Sequence, residues 1–205
     1  MTAARRGHWD AVYDQKSCTD VSWYQARPGK SLAFIERSGI APDDAVIDVG
    51  GGASTLVDHL LGLGFSDLTV LDVAAGAFAQ AKARLGAQAD EIDWLAADVT
   101  RFEPARRYSL WHDRAVMHFL TDADDRERYV AVLRAALASG GYAVLATFGP
   151  DGPQKCSGLP VRRYTVEMMT ELLGSGFELI HHELDVHETP AGNAQQFLYA
   201  IWRKA

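Results

Sequence analysis

The 205-residue sequence has only two cysteines, Cys18 and Cys156, far apart and in no CxxC pair. They supply neither a disulfide framework nor a zinc site, so no metal is expected and a reducing, cytoplasmic setting is the expected home. A run of 18 apolar residues is missing. So is an apolar stretch behind Arg5, Arg6, His8 and Asp10, and neither a membrane span nor a secretory leader is expected. Positive charge is in short supply: 20 Lys and Arg stand against 27 Asp and Glu, a formal net charge of -7. Gripping a phosphate backbone needs clustered cations, which argues against nucleic acid as a partner. Arg101, Arg106 and Arg107, the one local basic group, are interrupted by Glu103 and Pro104 and read as a solvated loop. Repeats, low-complexity tracts and linkers are missing as well. With 48% hydrophobic residues the chain can bury one sizeable core, so a single domain over residues 1–205 is expected, as a monomer or homodimer.

From about residue 45, short apolar runs alternate with longer helical patterns, the signature of βαβ units and a mainly parallel sheet. Seven strands are expected, at 45–49, 68–72, 92–96, 109–113, 141–147, 178–186 and 196–202. Helices are expected at 55–63, 75–85, 122–138 and 165–173, the third opening on an acidic turn that suits a helix N-terminus. Residues 187–194, with Pro190 and Gly192, hold no helix, so the last two strands should form an antiparallel hairpin. The expected fold is α/β: a seven-stranded Rossmann-like sheet, mostly parallel, with an antiparallel C-terminal hairpin and helices on both faces. Residues 1–40 form a helical N-terminal segment before the core at 41–205. The aromatics of that segment, Trp9, Tyr13, Trp23 and Tyr24, either pack onto the core or form a lid over a ligand.

The strongest motif is Val46-Ile47-Asp48-Val49-Gly50-Gly51-Gly52-Ala53-Ser54, a hydrophobic strand running into a glycine-rich turn that opens a helix. Such a turn lets a ligand approach the main chain, and the helix N-terminus offers free N–H groups. Dinucleotide sites and purely structural turns use the same device. Asp48, just before the glycines, would repel a pyrophosphate but suits an amino group, directly or through water. Asp72, with Val73 after it, ends the second strand 24 positions later, where a carboxylate meets ribose hydroxyls. Ala96-Ala97-Asp98-Val99 follows the third strand, with Asp98 either a turn former or a further ligand contact. Three acids at successive strand ends point to one ligand at the C-terminal edge of the sheet.

Over roughly residues 30–202, this arrangement resembles the class I S-adenosylmethionine (SAM)-dependent methyltransferases. The resemblance implies SAM as cofactor and S-adenosylhomocysteine (SAH) as product. It implies cofactor contacts from Asp48, Val49, Gly50, Gly51, Gly52, Ser54, Asp72, Val73, Asp98, Val99 and His112. Asp98 would meet the adenine amine and the Val99 backbone the ring. Three consecutive glycines depart from the family's usual alternation, and no Asn-Pro-Pro-Tyr follows the fourth strand, where His112-Asp113-Arg114-Ala115 stands instead. That tetrapeptide marks enzymes that methylate nucleic acid bases and protein glutamine.

The fourth-strand edge carries the candidate catalytic residues His112, Asp113, Arg114 and His118, with His118 as base; each histidine could equally be structural. After the fifth strand, a long Gly- and Pro-rich stretch offers Cys156, Arg163 and Tyr164, which join Trp9, Tyr13, Trp23 and Tyr24 as candidate acceptor contacts, a surface loop being the alternative. Methyl transfer is an in-line displacement that depends mostly on positioning. The motifs broadly resemble the small thiopurine- and tellurite-type methyltransferases, which implies a small-molecule acceptor with a thiol or other chalcogen nucleophile. A protein-lysine methyltransferase and a non-catalytic SAM-binding regulatory subunit are the alternatives. Arsenite capture commonly uses three cysteines, one more than the chain has. Calorimetry is expected to show micromolar binding of SAM and SAH and none of NAD; heat with NAD and no response to SAM would overturn the cofactor assignment.

Overall fold

The computed structural model describes residues 2–205, with side chains from Arg5 onward. A first helix α1 (Thr2–Gln15) and a loop lead to α2 (Gly29–Ser38), which ends on Gly39 in the left-handed conformation usual after a helix. There follow β1 (Val46–Val49), α3 (Leu56–Gly62), β2 (Leu68–Asp72), α4 (Ala75–Leu85), β3 (Ile92–Ala96), β4 (Tyr108–Arg114) and α5 (Ala123–Ala136). The chain continues through β5 (Leu137–Phe148), two short strands β6 (Lys155–Cys156) and β7 (Leu159–Pro160), α6 (Val166–Leu173), β8 (Phe177–Glu188) and β9 (Ala194–Lys204). Seven strands form one sheet in the order β3-β2-β1-β4-β5-β9-β8. The first five are parallel and β9 is antiparallel to both β5 and β8. All seven expected strands are present, as are the hairpin and the four helices.

The boundaries differ in one place of consequence. The helix expected to reach residue 138 stops at Ala136, because Leu137 is already extended and begins β5. Apolar pattern alone cannot separate the two states, since Ala136 and Leu137 are both fully buried. The β6–β7 pair, inside the Gly- and Pro-rich stretch, was not expected.

Burial explains the layering. The β1 residues Val46, Ile47 and Val49 are shielded on both faces, as a central parallel strand requires. Leu32 and Phe34 of α2, Leu56 and Leu60 of α3, and Phe78 of α4 pack with Val46, Leu110 and Val144 on one face. On the other face, Tyr129 and Leu133 of α5 and Met169 and Leu173 of α6 pack with Ile47, Trp111 and Leu145. Helix α6 starts where the Thr165 hydroxyl accepts from the Met168 N–H. Among the described residues no helix is long and apolar enough to cross a membrane.

A polar network runs through the second core. The Trp111 indole donates to the Tyr129 hydroxyl at 3.0 Å, which donates to Asp113 Oδ2 at 2.6 Å. Tyr129→Phe is expected to lower stability by about 1–3 kcal/mol, because it leaves the indole N–H unpartnered and the carboxylate a donor short. A urea titration should show a lower midpoint at unchanged slope; an unchanged midpoint would show that the network contributes nothing.

Candidate active site

Between β1 and β4 the chain switches direction across the sheet, which opens a crevice at the strands' C-terminal ends. Here the glycine turn follows β1. Gly50 has φ +70°, and a Cβ there would collide with Val116. A Cβ on Gly52 would lie 2.7 Å from Asp72 Oδ2, so the turn is pressed against that carboxylate. Consecutive glycines thus let the turn touch the fourth-strand edge and the end of β2 at once.

Two adjoining cavities occupy the crevice. The larger is lined by Tyr13, Val49, Gly50, Asp72, Val73, Asp98 and Val99 on one side, and by Trp9, Trp23, Phe119 and Cys156 on the other. The second is lined by Asp48, Gly51, Ser54, Tyr24 and His112 among others. Val49, Gly50, Trp23 and Arg114 border both. Asp72 accepts from the Ala74 N–H through Oδ1, and its burial raises the carboxyl to about 7. Asp98 spends Oδ1 on the amide and hydroxyl of Thr100, while its buried Oδ2 has no hydrogen-bond partner and sits 3.6 Å from Arg5 Nη1 in an ion pair. A nucleoside fits this donor-poor edge, because its ribose hydroxyls and adenine amine are donors. Asp72 and Asp98 could hold those ends, with the glycine turn against the methionine portion.

The fourth-strand edge differs from its expected role. Register pairs Asp48 with His112 across β1 and β4. His112 Nδ1 lies 2.7 Å from Asp48 Oδ1 and Nε2 2.9 Å from the Ser31 hydroxyl, so both ring nitrogens are engaged and neither is available as a base. Asp113, fully buried, accepts from Tyr129 and from the amides of Val116 and Met117, so it caps the turn after β4 rather than facing either cavity. His118 lines neither cavity: it is fully buried between Phe119 and Phe148, where desolvation and then Arg114 lower its pKa to about 3. A ring that stays neutral and sealed from the crevice cannot take a proton from an acceptor there. Only Arg114 of the four candidates reaches the larger cavity. Between these residues Ala115 takes φ +74°, a strained value for a residue with a side chain, where the chain turns out of β4.

The N-terminal aromatics lie over the crevice. Trp9 meets Trp23 and Phe119 edge to face, and Arg5 pairs with Asp98 and Asp125. Met1 alone of the expected 1–40 segment lies outside the described residues. Cys156 borders the larger cavity, and burial raises its thiol pKa. Arg163 and Tyr164 do not border it. Arg163 is exposed and donates to the Gly152 carbonyl, while Tyr164 is buried in the core beneath α6. Once β6 and β7 pair, the chain between them and α6 turns away from the crevice. Arg5, Ser31 and Phe119 were not expected at the site; no local motif marks them, because α1, α2 and the turn after β4 meet only in three dimensions.

Residues 47–143 match the family described as a methyltransferase domain. The chain is 26% identical over 143 residues to a mouse eEF1A lysine and N-terminal methyltransferase, and 24% identical over 141 residues to the bovine one. These matches cover 65% of this chain and only about a fifth of those relatives. A SAM-dependent methyltransferase from Anabaena variabilis superposes with a TM-score of 0.76 at 18% identity, covering 100% of this chain and 95% of that one. A structure from work on the conversion of a disulfide bond into a thioacetal group during echinomycin biosynthesis gives 0.79 at 17% identity, covering 98% and 93%. The Burkholderia thailandensis 1,6-didemethyltoxoflavin-N1-methyltransferase gives 0.70 at 19%, covering 99% and 85%.

Ribose hydroxyls donating to Asp72 favour its ionised form. With the free carboxyl at about 7, SAH affinity is expected to rise from pH 6 to pH 8, by at most about tenfold per unit where Asp72 titrates, and Asp72→Asn should flatten the rise. The sign is reversed for folding. This carboxyl is raised above its unfolded value, so its stabilising effect is greatest at low pH and is lost as pH rises through about 7. Calorimetric SAH titrations across that range check the first expectation; a pH-independent affinity would remove Asp72 from the ribose position.

Proposed function

We propose that this chain, which carries a methyltransferase domain on the class I SAM-dependent fold, methylates a small molecule at a thiol or related chalcogen. One observation carries this reading: the acceptor side of the crevice holds no free base. Among the described residues His112 is the only imidazole bordering either cavity, and both its nitrogens are engaged. An alcohol or an ammonium must lose a proton before it attacks, whereas a thiol with a pKa of about 8.5 supplies a useful fraction of anion unaided. The half-buried guanidinium of Arg114 borders the same space and increases that fraction.

SAM supplies an electrophilic methyl group on a sulfonium. The protein's contribution is to hold and to enclose: the glycine turn, Asp72 and Asp98 fix the cofactor, while Trp9, Trp23 and Phe119 shape an apolar chamber and exclude water. Trp9 belongs to α1 and packs over Trp23 and Phe119, which suits a compact acceptor better than a side chain on a folded protein. The neighbour concerned with converting a disulfide bond into a thioacetal group supports sulfur chemistry on this fold.

A second reading, methylation of a protein lysine, draws support from the sequence relation to the eEF1A lysine and N-terminal methyltransferases. An ammonium acceptor would meet a cation, Arg114, with no free imidazole to deprotonate it, and the carboxylates of that cavity, Asp72 and Asp98, are assigned to the cofactor. Turnover of simple thiols such as thiophenol is expected to rise with thiol ionisation as pH increases. Profiles of wild type and His118→Ala should coincide, while the variant melts at a lower temperature. A base would cost about 10² to 10⁴-fold in turnover. Methylation of lysine in a protein extract with no turnover of any small thiol would overturn this reading.

A further inference from the structure

Arg114 is the last residue of β4, and its guanidinium is held on three sides. Nε donates to the Tyr199 hydroxyl at 2.8 Å, Nη1 donates to the Trp23 carbonyl at 3.0 Å, and the group stacks 4.5 Å from the centre of the Phe197 ring. Nη2 is buried and has no partner. Among the described residues none of the ion pairs includes Arg114. The adjacent carboxylate, Asp113, is committed to Tyr129 and to two backbone amides. A hydroxyl, a carbonyl and a ring face carry only partial negative charge, so this half-buried cation lacks a full counter-charge from the protein.

The direction in which it is held matters. Tyr199 and Phe197 belong to β9, which lies beyond β5 and on the side of β4 away from β1. Arg114 is therefore anchored on the β9 side, while it still borders both the cavity of Asp72 and Asp98 and the one lined by Asp48, Gly51 and Ser54. On that side the cavity is bordered by Trp23, Phe119 and Cys156. We propose that Arg114 is the receptor for an anionic oxygen group, such as a carboxylate, on the methyl acceptor, which makes the substrate class a small anionic molecule with an apolar body. This rests on the small-molecule reading above and narrows it. Three anchors pre-organise the guanidinium, so little side-chain freedom is lost when the anion arrives.

Benzoate and its neutral isostere benzamide, titrated calorimetrically into SAH-saturated protein, test the assignment without needing the natural acceptor. Benzoate should bind at least about tenfold more tightly than benzamide, the scale of one charge-assisted hydrogen bond. Arg114→Gln should abolish the preference and Arg114→Lys keep part of it, with SAH affinity within about threefold of wild type. Equal binding of the two probes to wild type, or no binding of either, overturns the proposal. It is also overturned if Arg114→Gln weakens SAH by about tenfold or more while leaving 5′-deoxy-5′-methylthioadenosine unchanged, since the anion would then be the cofactor's own carboxylate. Should the glutamine variant fail to fold by circular dichroism, the wild-type preference and the lysine variant decide. Benzoate has no sulfur, so its binding is independent of which atom is methylated. An acceptor screen that finds only lysine substrates would instead overturn the small-molecule reading.

Discussion

Asp48 and His112 face each other across β1 and β4, the two strands between which the crevice opens, and the hydrogen bond between them organises what surrounds it. Hydrogen bonds to a charged group contribute about 1.5–3 kcal/mol, more than most single polar contacts. This one fixes one oxygen of the motif acid, leaving the other against the backbone of Gly51. Through its second nitrogen His112 also reaches Ser31, so α2 is tied to the same point. One imidazole thus links the two central strands, the start of the glycine turn and a helix that precedes the core.

Around that bond the site is organised by buried negative charge. Desolvation raises both Asp72 and Asp113, yet their surroundings differ. Three protein donors reach Asp113, which is thereby committed to holding the turn after β4. Asp72 has a backbone amide on one oxygen and the glycine turn close against the other, and Asp98 keeps one oxygen with only a 3.6 Å ion pair. Carboxylates left short of donors in this way reduce the stability of the free protein and increase its affinity for a ligand rich in donors. The positive φ of Ala115 belongs to the same pattern, in which local strain collects where the chain must present groups to a ligand.

Charge separates the two halves of the crevice. Acids stand at the ends of β2 and β3, while the opposite half holds the guanidinium of Arg114 among aromatic rings. Helix α1 lies over both halves: Arg5 pairs with Asp98 on the acidic side, and Trp9 packs on Trp23 and Phe119 on the other. Such an enclosure strengthens every electrostatic contact inside it by excluding water.

Much of this was legible in the sequence. Period and punctuation identified all seven sheet strands and the closing hairpin, because central parallel strands read as short, largely apolar runs and Pro190 and Gly192 leave no room for a helix. Asp48, Asp72 and Asp98 could be read as one series, since consecutive βα units bring their strand ends to the same edge whatever the side chains do later. What a polar residue does at that edge could not be read. His112 and His118 are similar in sequence, yet one bridges Asp48 to Ser31 while the other is sealed against Phe148, a difference set by which helices pack over them. Arg163 and Tyr164 follow the expected site loop but turn out of the crevice once β6 pairs with β7. The sequence by itself determined the sheet and the three acids at its C-terminal edge, because local periodicity and βα connection rules act over short spans of chain. Tertiary structure alone decided which titratable groups remain free, because a hydrogen-bond partner such as Ser31 lies 81 residues from the histidine that it engages.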